Sequence, residues 1–168
     1  HDQEEALTLS DRIAVMARGQ TLQIASPKDL YNRPVSIEVA DFIGQMNFIE
    51  ASVTEIVHGE VFLETAGLGK VKTQTRGDFV SQGAEVVVAI RPEKLRLSPT
   101  ANGRNGVQGV MKTASYLGDR SHFYVAVEGC DQPLAVATQE VGTGTELSRD
   151  APVWVSWLPE SLVLLPRE

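Results

Sequence analysis

Short runs of alternating apolar and polar residues fill most of this chain, at the period of two that half-buried strands require. They predict strands at Ile49–Val57, Val61–Thr65, Glu85–Ile90, Val107–Tyr116, Ser121–Val127, Leu134–Ala137 and Val153–Trp157. His58-Gly59-Glu60 and Leu117-Gly118-Asp119 read as turns, and Gly67 and Gly69 break a further connection. Many short strands separated by turn residues favour a barrel or sandwich over βαβ units. Residues 99–106 are poor in apolar side chains and read as a loop between two halves.

Residues 1–44 follow a different pattern. Asp2 is a candidate N-cap with Glu5 as its box partner, opening a short helix through Leu9. Ile13-Ala14-Val15-Met16 reads as a buried strand, Gly19 as a turn, and residues 20–24 as the returning strand. Ser26, Pro27 and Asp29 together mark a second helix start, which Pro34 ends. Val35, Val39, Phe42 and Ile43 are expected near one face of a further helix that Gly44 closes. So short a region lacks neighbours for both strand edges, so it reads as the tail of a larger α/β domain.

The β part repeats itself at an offset of 67 residues. Val86, Val88, Pro92, Glu93, Leu95, Leu97 and Pro99 recur as Val153, Val155, Pro159, Glu160, Leu162, Leu164 and Pro166. The shared plan is a strand, a Pro-Glu corner, then leucines alternating toward one core. Proline lacks an N–H and holds its predecessor extended, so it suits the end of a strand. The corners are therefore structural, with Glu93 and Glu160 available for caps or ion pairs. Two related halves predict two small five-stranded barrels, packed together or sharing strands, that unfold as one unit.

Charge and special residues narrow the function. A formal charge of -7 argues against nucleic acid, which needs clustered cations. Neither Lys70 with Lys72 nor Arg91 with Lys94 and Arg96 overturns that balance. Cys130, the single cysteine, permits no internal disulfide or thiolate metal cluster. His58 and His122 stand far apart without a ligand motif and read as surface or hydrogen-bonding groups. Trp154 and Trp157 have odd spacing, which puts them on opposite strand faces, the outward one available for stacking. Arg91 and Arg120 read first as surface ion-pairing groups and second as anion donors.

The run from His1 to Met16 resembles the switch-histidine region of importer-type ABC ATPases. Gly19-Gln20-Thr21-Leu22-Gln23, Ser26-Pro27 and Leu30-Tyr31-Asn32-Arg33-Pro34 resemble the end of the same domain, and Val39-Ala40-Asp41-Phe42-Ile43-Gly44 its exit. Asn47-Phe48-Ile49-Glu50, Ile90-Arg91-Pro92-Glu93 and Tyr116-Leu117-Gly118-Asp119 resemble a TOBE module, the transport-associated OB-like domain of these ATPases. The spermidine/putrescine group is the nearest in pattern.

That resemblance implies a mainly β chain: a tandem OB-like TOBE barrel module over 45–168, preceded by an ABC ATPase remnant over 1–44. It makes His1 the switch histidine of the intact parent, positioned to sense the γ-phosphate of ATP. No phosphate loop, signature motif or acidic strand end accompanies it, so the 168 residues alone are expected to bind no Mg-ATP and to turn over none. His1 is not followed by a cationic, apolar leader, so the start reads as the middle of a longer chain. For the parent, ATP and magnesium are the implied cofactors. Implied partners are a second ATPase subunit, membrane permease subunits and an external solute-binding protein, at the cytoplasmic face of the membrane. The β module implies a regulatory or dimerising role; a soluble small-oxyanion binder is the alternative.

Overall fold

The computed structural model describes residues 3–74, 77–117, 120–138 and 148–167. A helical and hairpin arm comes first. Helix α1 (Gln3–Leu9) leads into the antiparallel pair β1 (Ile13–Ala17) and β2 (Gln20–Ala25). Arg18 and Gly19 both take positive φ at the turn, the pairing that fits the twist of a two-residue hairpin. Ser26 caps α2 (Pro27–Asn32): its hydroxyl accepts from the Asp29 N–H, and Pro27 occupies the first turn. Ser36 caps α3 (Ile37–Ile43) in the same way, accepting from the Val39 N–H.

Helix α3 is buried on two sides. Val39 and Ile43 join Val15 and Leu30 in the small core of the arm, while Ala40 packs with Met46, Val87, Ala89 and Leu165 against the β module. Phe42 and Val35, expected on the buried face, are exposed. Two positions beyond Ala40 lies nearly the opposite side of a helix, and Val35 precedes the cap, so neither reaches a core.

The remaining described residues form two five-stranded sheets. The first has the order β12-β6-β3-β4-β5, with β3 (Asn47–Val57), β4 (Glu60–Thr65), β5 (Gly69–Gln74), β6 (Glu85–Ile90) and β12 (Val163–Pro166). The second has the order β10-β9-β8-β11-β7, with β7 (Arg96–Ser98), β8 (Gly106–Leu117), β9 (Arg120–Ala126), β10 (Leu134–Thr138) and β11 (Pro152–Ser156). The seven predicted strands are all present. Strand β5 was not expected, because Val71 is its only strongly apolar residue; Val71 and Thr73 face inward while Lys70, Lys72 and Gln74 face out.

The two halves share strands. After β6, the chain passes through a 3-10 turn (Pro92–Lys94) and enters the second sheet as β7, beside β11. After β11, the matching turn (Pro159–Ser161) sends the chain into the first sheet as β12, beside β6. Leu164 pairs with Val88 and Leu97 pairs with Val155, so the two exchanges are the same contact made in opposite directions. Bulges recur too, between Val53 and Glu55 on β3 and between Met111 and Thr113 on β8. Leu95, Leu162 and Leu164 enter one core with Val53, Leu63, Met111 and Phe123 from both sheets. The Asn47 side chain stitches the sheets together: its amide donates to Ile90 O at 3.2 Å and Ala135 O at 2.9 Å, and its oxygen accepts from Ala135 N at 2.7 Å.

The tips of matching hairpins also meet. A Cβ on Gly129 would strike the Ala66 carbonyl, and one on Gly67 would strike Cys130 Sγ. Gly129 also has φ +89°, which disfavours any other residue. Replacing Gly129 with alanine is therefore expected to cost roughly 2–4 kcal/mol, read as a lower urea midpoint. A single melting transition is expected for residues 45–168, since neither half keeps a complete sheet without the other; two resolved transitions in calorimetry would contradict the shared core.

Candidate functional site

Arg91 follows β6 directly, at the first Pro-Glu corner, and is only 3% exposed. Its side chain leaves the β module and enters the arm. Nη1 donates to the carbonyls of Gly44 at 2.6 Å, Ala40 at 3.2 Å and Gln45 at 3.2 Å; Nη2 donates to Tyr31 O at 3.1 Å. The guanidinium carbon lies 4.2 Å from the centroid of the Tyr31 ring, within cation–π range. The Tyr31 hydroxyl donates to Glu93 Oε1 at 2.6 Å. Arg91 Nε is buried without a hydrogen-bond partner among the described residues.

These contacts follow from what helix ends lack. The last carbonyls of a helix have no partner within it, and a cation there is favoured by the helix dipole. Ala40 lies in the last turn of α3, Gly44 and Gln45 continue from its end, and Tyr31 lies in the last turn of α2. Burial pulls the Arg91 pKa down, and electrostatic attraction to Tyr31 and Glu93 opposes that pull. An arginine stays charged through such a shift. Arg91 is thus neither a surface ion-pairing group nor a free anion donor, and both expectations are corrected: its Nη donors are spent on carbonyls. Glu93 acts as an acceptor for tyrosine.

The equivalent of Arg91 in the repeat is Leu158, which is 48% exposed. Among the described residues no tyrosine hydroxyl bonds to Glu160, which takes the place of Glu93 there. A groove of about 720 Å³ runs beside this second corner, lined by Arg33 and Val35 of the arm and by Lys72, Phe79, Glu160 and Leu162 of the β module. Lys72 Nζ pairs with Glu60 at 3.0 Å across its rim. The groove is walled mostly by apolar atoms, with charges at its edge.

Other candidates resolve plainly. His1 and Asp2 lie outside the described residues, as do Gly118 and Asp119 and the side chain of Arg120. His58 sits in the β3–β4 turn and His122 on β9 in the other sheet. Among the described residues no three His, Cys, Asp or Glu side chains gather to hold a metal ion. Trp157 is buried in the shared core, while Trp154 is half-buried on the other strand face and packs over Gly106. Tyr31 was missed as a functional residue. A signal did exist: within the repeated Pro-Glu corner, Arg91 is a charge where the second copy has leucine.

Residues 88–165, which include both exchange corners, match the TOBE domain model. The chain thus contains a TOBE domain. Its relatives extend the match over the arm. The spermidine/putrescine import ATP-binding protein PotA of Ruegeria pomeroyi is 42% identical over 146 residues, covering 87% of this chain and 38% of that protein. The PotA of Acidothermus cellulolyticus is 37% identical over 163 residues, covering 95% of this chain and 42% of that protein. The chain is homologous to the carboxyl-terminal region of PotA-type ABC-transporter ATPase subunits. It spans about two fifths of the length of those relatives. Among solved structures, the cytoplasmic molybdate-binding protein ModG aligns with TM-score 0.63 and 18% identity, over 72% of this chain and 96% of that one, a likeness of fold. No helix among the described residues is long and apolar enough to cross a membrane.

Cys130 offers a direct check of the hairpin-tip packing. Burial first, and Asp131 second, push its thiol pKa up. The folded thiol then keeps its proton where the unfolded one loses it. The unfolded chain binds fewer protons in that window, so stability falls as pH rises through the ordinary thiol range toward the raised folded value. Urea midpoints measured from about pH 8 to 10 should drop more steeply in the parent chain than in Cys130→Ser.

Proposed function

We infer that this chain forms the carboxyl-terminal part of the ATP-hydrolysing subunit of an ABC importer that carries polyamines. Residues 1–44 are the end of its ATPase domain, and 45–168 are a module that regulates and pairs the subunit. The observation that supports this reading most is the continuous similarity to spermidine/putrescine import ATP-binding proteins, through arm and β module alike. The arm supports it physically. Met16 is 59% exposed and Ile24 53% exposed on one face of a two-stranded hairpin. Such a face, with unpaired strand edges, suits burial against more of the same domain.

In this reading ATP and magnesium are held by elements upstream of His1. His1 is the switch group that contacts the γ-phosphate or the attacking water. Permease subunits span the membrane, and an external binding protein delivers the solute. The ATPase works at the cytoplasmic face with a second copy of itself, and nucleic acid has no part. A second reading, binding of a small oxyanion, draws on the fold likeness to a molybdate-binding protein. The commitment of Arg91 to backbone carbonyls and the charge of -7 weigh against it.

The test compares two lengths of chain. Extended upstream to the length of its relatives, the protein should hydrolyse ATP, and His1→Ala should lower turnover about 100-fold or more. The 168-residue chain should show no turnover and no specific heat with Mg-ATP. Turnover by the short chain would overturn the reading, and saturable heat with molybdate would favour the oxyanion binder.

A further inference from the structure

We propose that Arg91 is a shared cap for the carboxyl ends of α2 and α3, which makes the order of these helices conditional on the β module and turns the Pro-Glu corner into a releasable joint. The argument starts from length. Helix α2 has six residues and α3 has seven, well below the length at which a helix holds itself in water. Each has a side-chain cap at its start, Ser26 and Ser36. Neither has a basic residue within its last turn, and Arg33, the C-cap of α2, contributes there through its backbone N–H on Asp29 O. The guanidinium shared by both ends is borrowed from Arg91, the residue after β6, 60 residues from Tyr31 and 51 from Ala40 in sequence.

The geometry makes that loan cooperative. Nη1 has two protons and three carbonyl neighbours, so at least one proton is shared, and Nη2 reaches the other helix. Tyr31 stacks on the same guanidinium and anchors its hydroxyl on Glu93, two residues beyond Arg91. Displacing one guanidinium therefore frees carbonyls on both helices together. Apolar contact between Ala40, Met46 and Val87 would still hold α3 near the sheet. Release would accordingly be a loosening of α2 and of the α3 exit, rather than loss of the arm.

Specialisation of one corner supports this assignment. The second copy keeps proline, glutamate and both leucines of the pattern, yet places exposed Leu158 where Arg91 stands. The fold of the corner thus does not need arginine; the arm does. Arg33 and Val35, which follow α2 directly, line the groove together with Glu160 and Leu162 of the β module. Loosening of α2 on release at Arg91 would therefore alter the arm's share of that lining and leave the β module's share in place. The inference concerns contacts within these 168 residues, so it stands or falls separately from ATP turnover.

Hydrogen exchange read by mass spectrometry on the 168-residue chain tests it. Arg91→Met keeps a similar chain length without donors. Exchange of amides in 30–45 should speed up tenfold or more, with β3, β4 and β8 unchanged. Arg91→Lys should be intermediate, because a single ammonium cannot serve two helix ends and stack on tyrosine. Tyr31→Leu, which leaves the β module untouched, should loosen α2 more than α3. Unchanged protection of 30–45 in Arg91→Met would overturn the proposal. So would equal loss of protection throughout the β module in Arg91→Met, if Tyr31→Leu then left α2 as protected as before.

Discussion

Two strands that finish the opposite sheet set the terms for everything else in this molecule. Strand β7 belongs in sequence to the first half but hydrogen-bonds to β11, and β12 belongs to the second half but hydrogen-bonds to β6. Each exchange carries leucines into the common core, so separating the halves would strip two ladders and expose apolar surface at once. The proline at each corner permits the crossing, because it ends one ladder without leaving an N–H stranded. Each corner is therefore held from both sides, by a strand of one sheet before it and a strand of the other after it. A side chain mounted on one of them is well placed to hold something outside the β module, and Arg91 does so.

The contact at Arg91 shows how a modest number of polar groups can govern a larger apolar interface. Packing of α3 on β6 and β12 supplies adhesion with little direction. Four hydrogen bonds and a stacked ring supply direction, since a planar guanidinium accepts few arrangements of its partners. Among the described residues the arm and the β module thus share an interface in which burial and orientation come from different groups. The same corner in the second half has no such role, and its leucine lies open beside the groove.

Much of this was legible in the residues. Alternation marked the well-hydrophobic strands, caps at Ser26 marked α2, and the repeat pointed to two related halves. What stayed hidden has physical causes. Strand β5 carries threonine and lysines where other strands carry valines, so its alternation is one of polarity alone. The exchange of β7 and β12 depends on which neighbour each strand meets, and a repeat in sequence looks the same whether strands are kept or traded. Arg91 was visible as a charge, but its acceptors are backbone carbonyls, which every residue possesses and no side chain announces. Phe42 and Val35 misled because α3 has two partners, so its buried arc is set by tertiary contact rather than by one stripe.

The matched pairings of Leu164 with Val88 and of Leu97 with Val155 carry an implication for how such a chain arises. A single half that exports its last strand has a vacant lane in its own sheet, which the last strand exported by a sister molecule would fill. Such a half standing alone would have been an obligate pair by domain swapping. Joining the two genes in tandem would convert that association between molecules into one within a molecule, free of dilution. It would also let the copies diverge, one acquiring an arginine and the other a leucine.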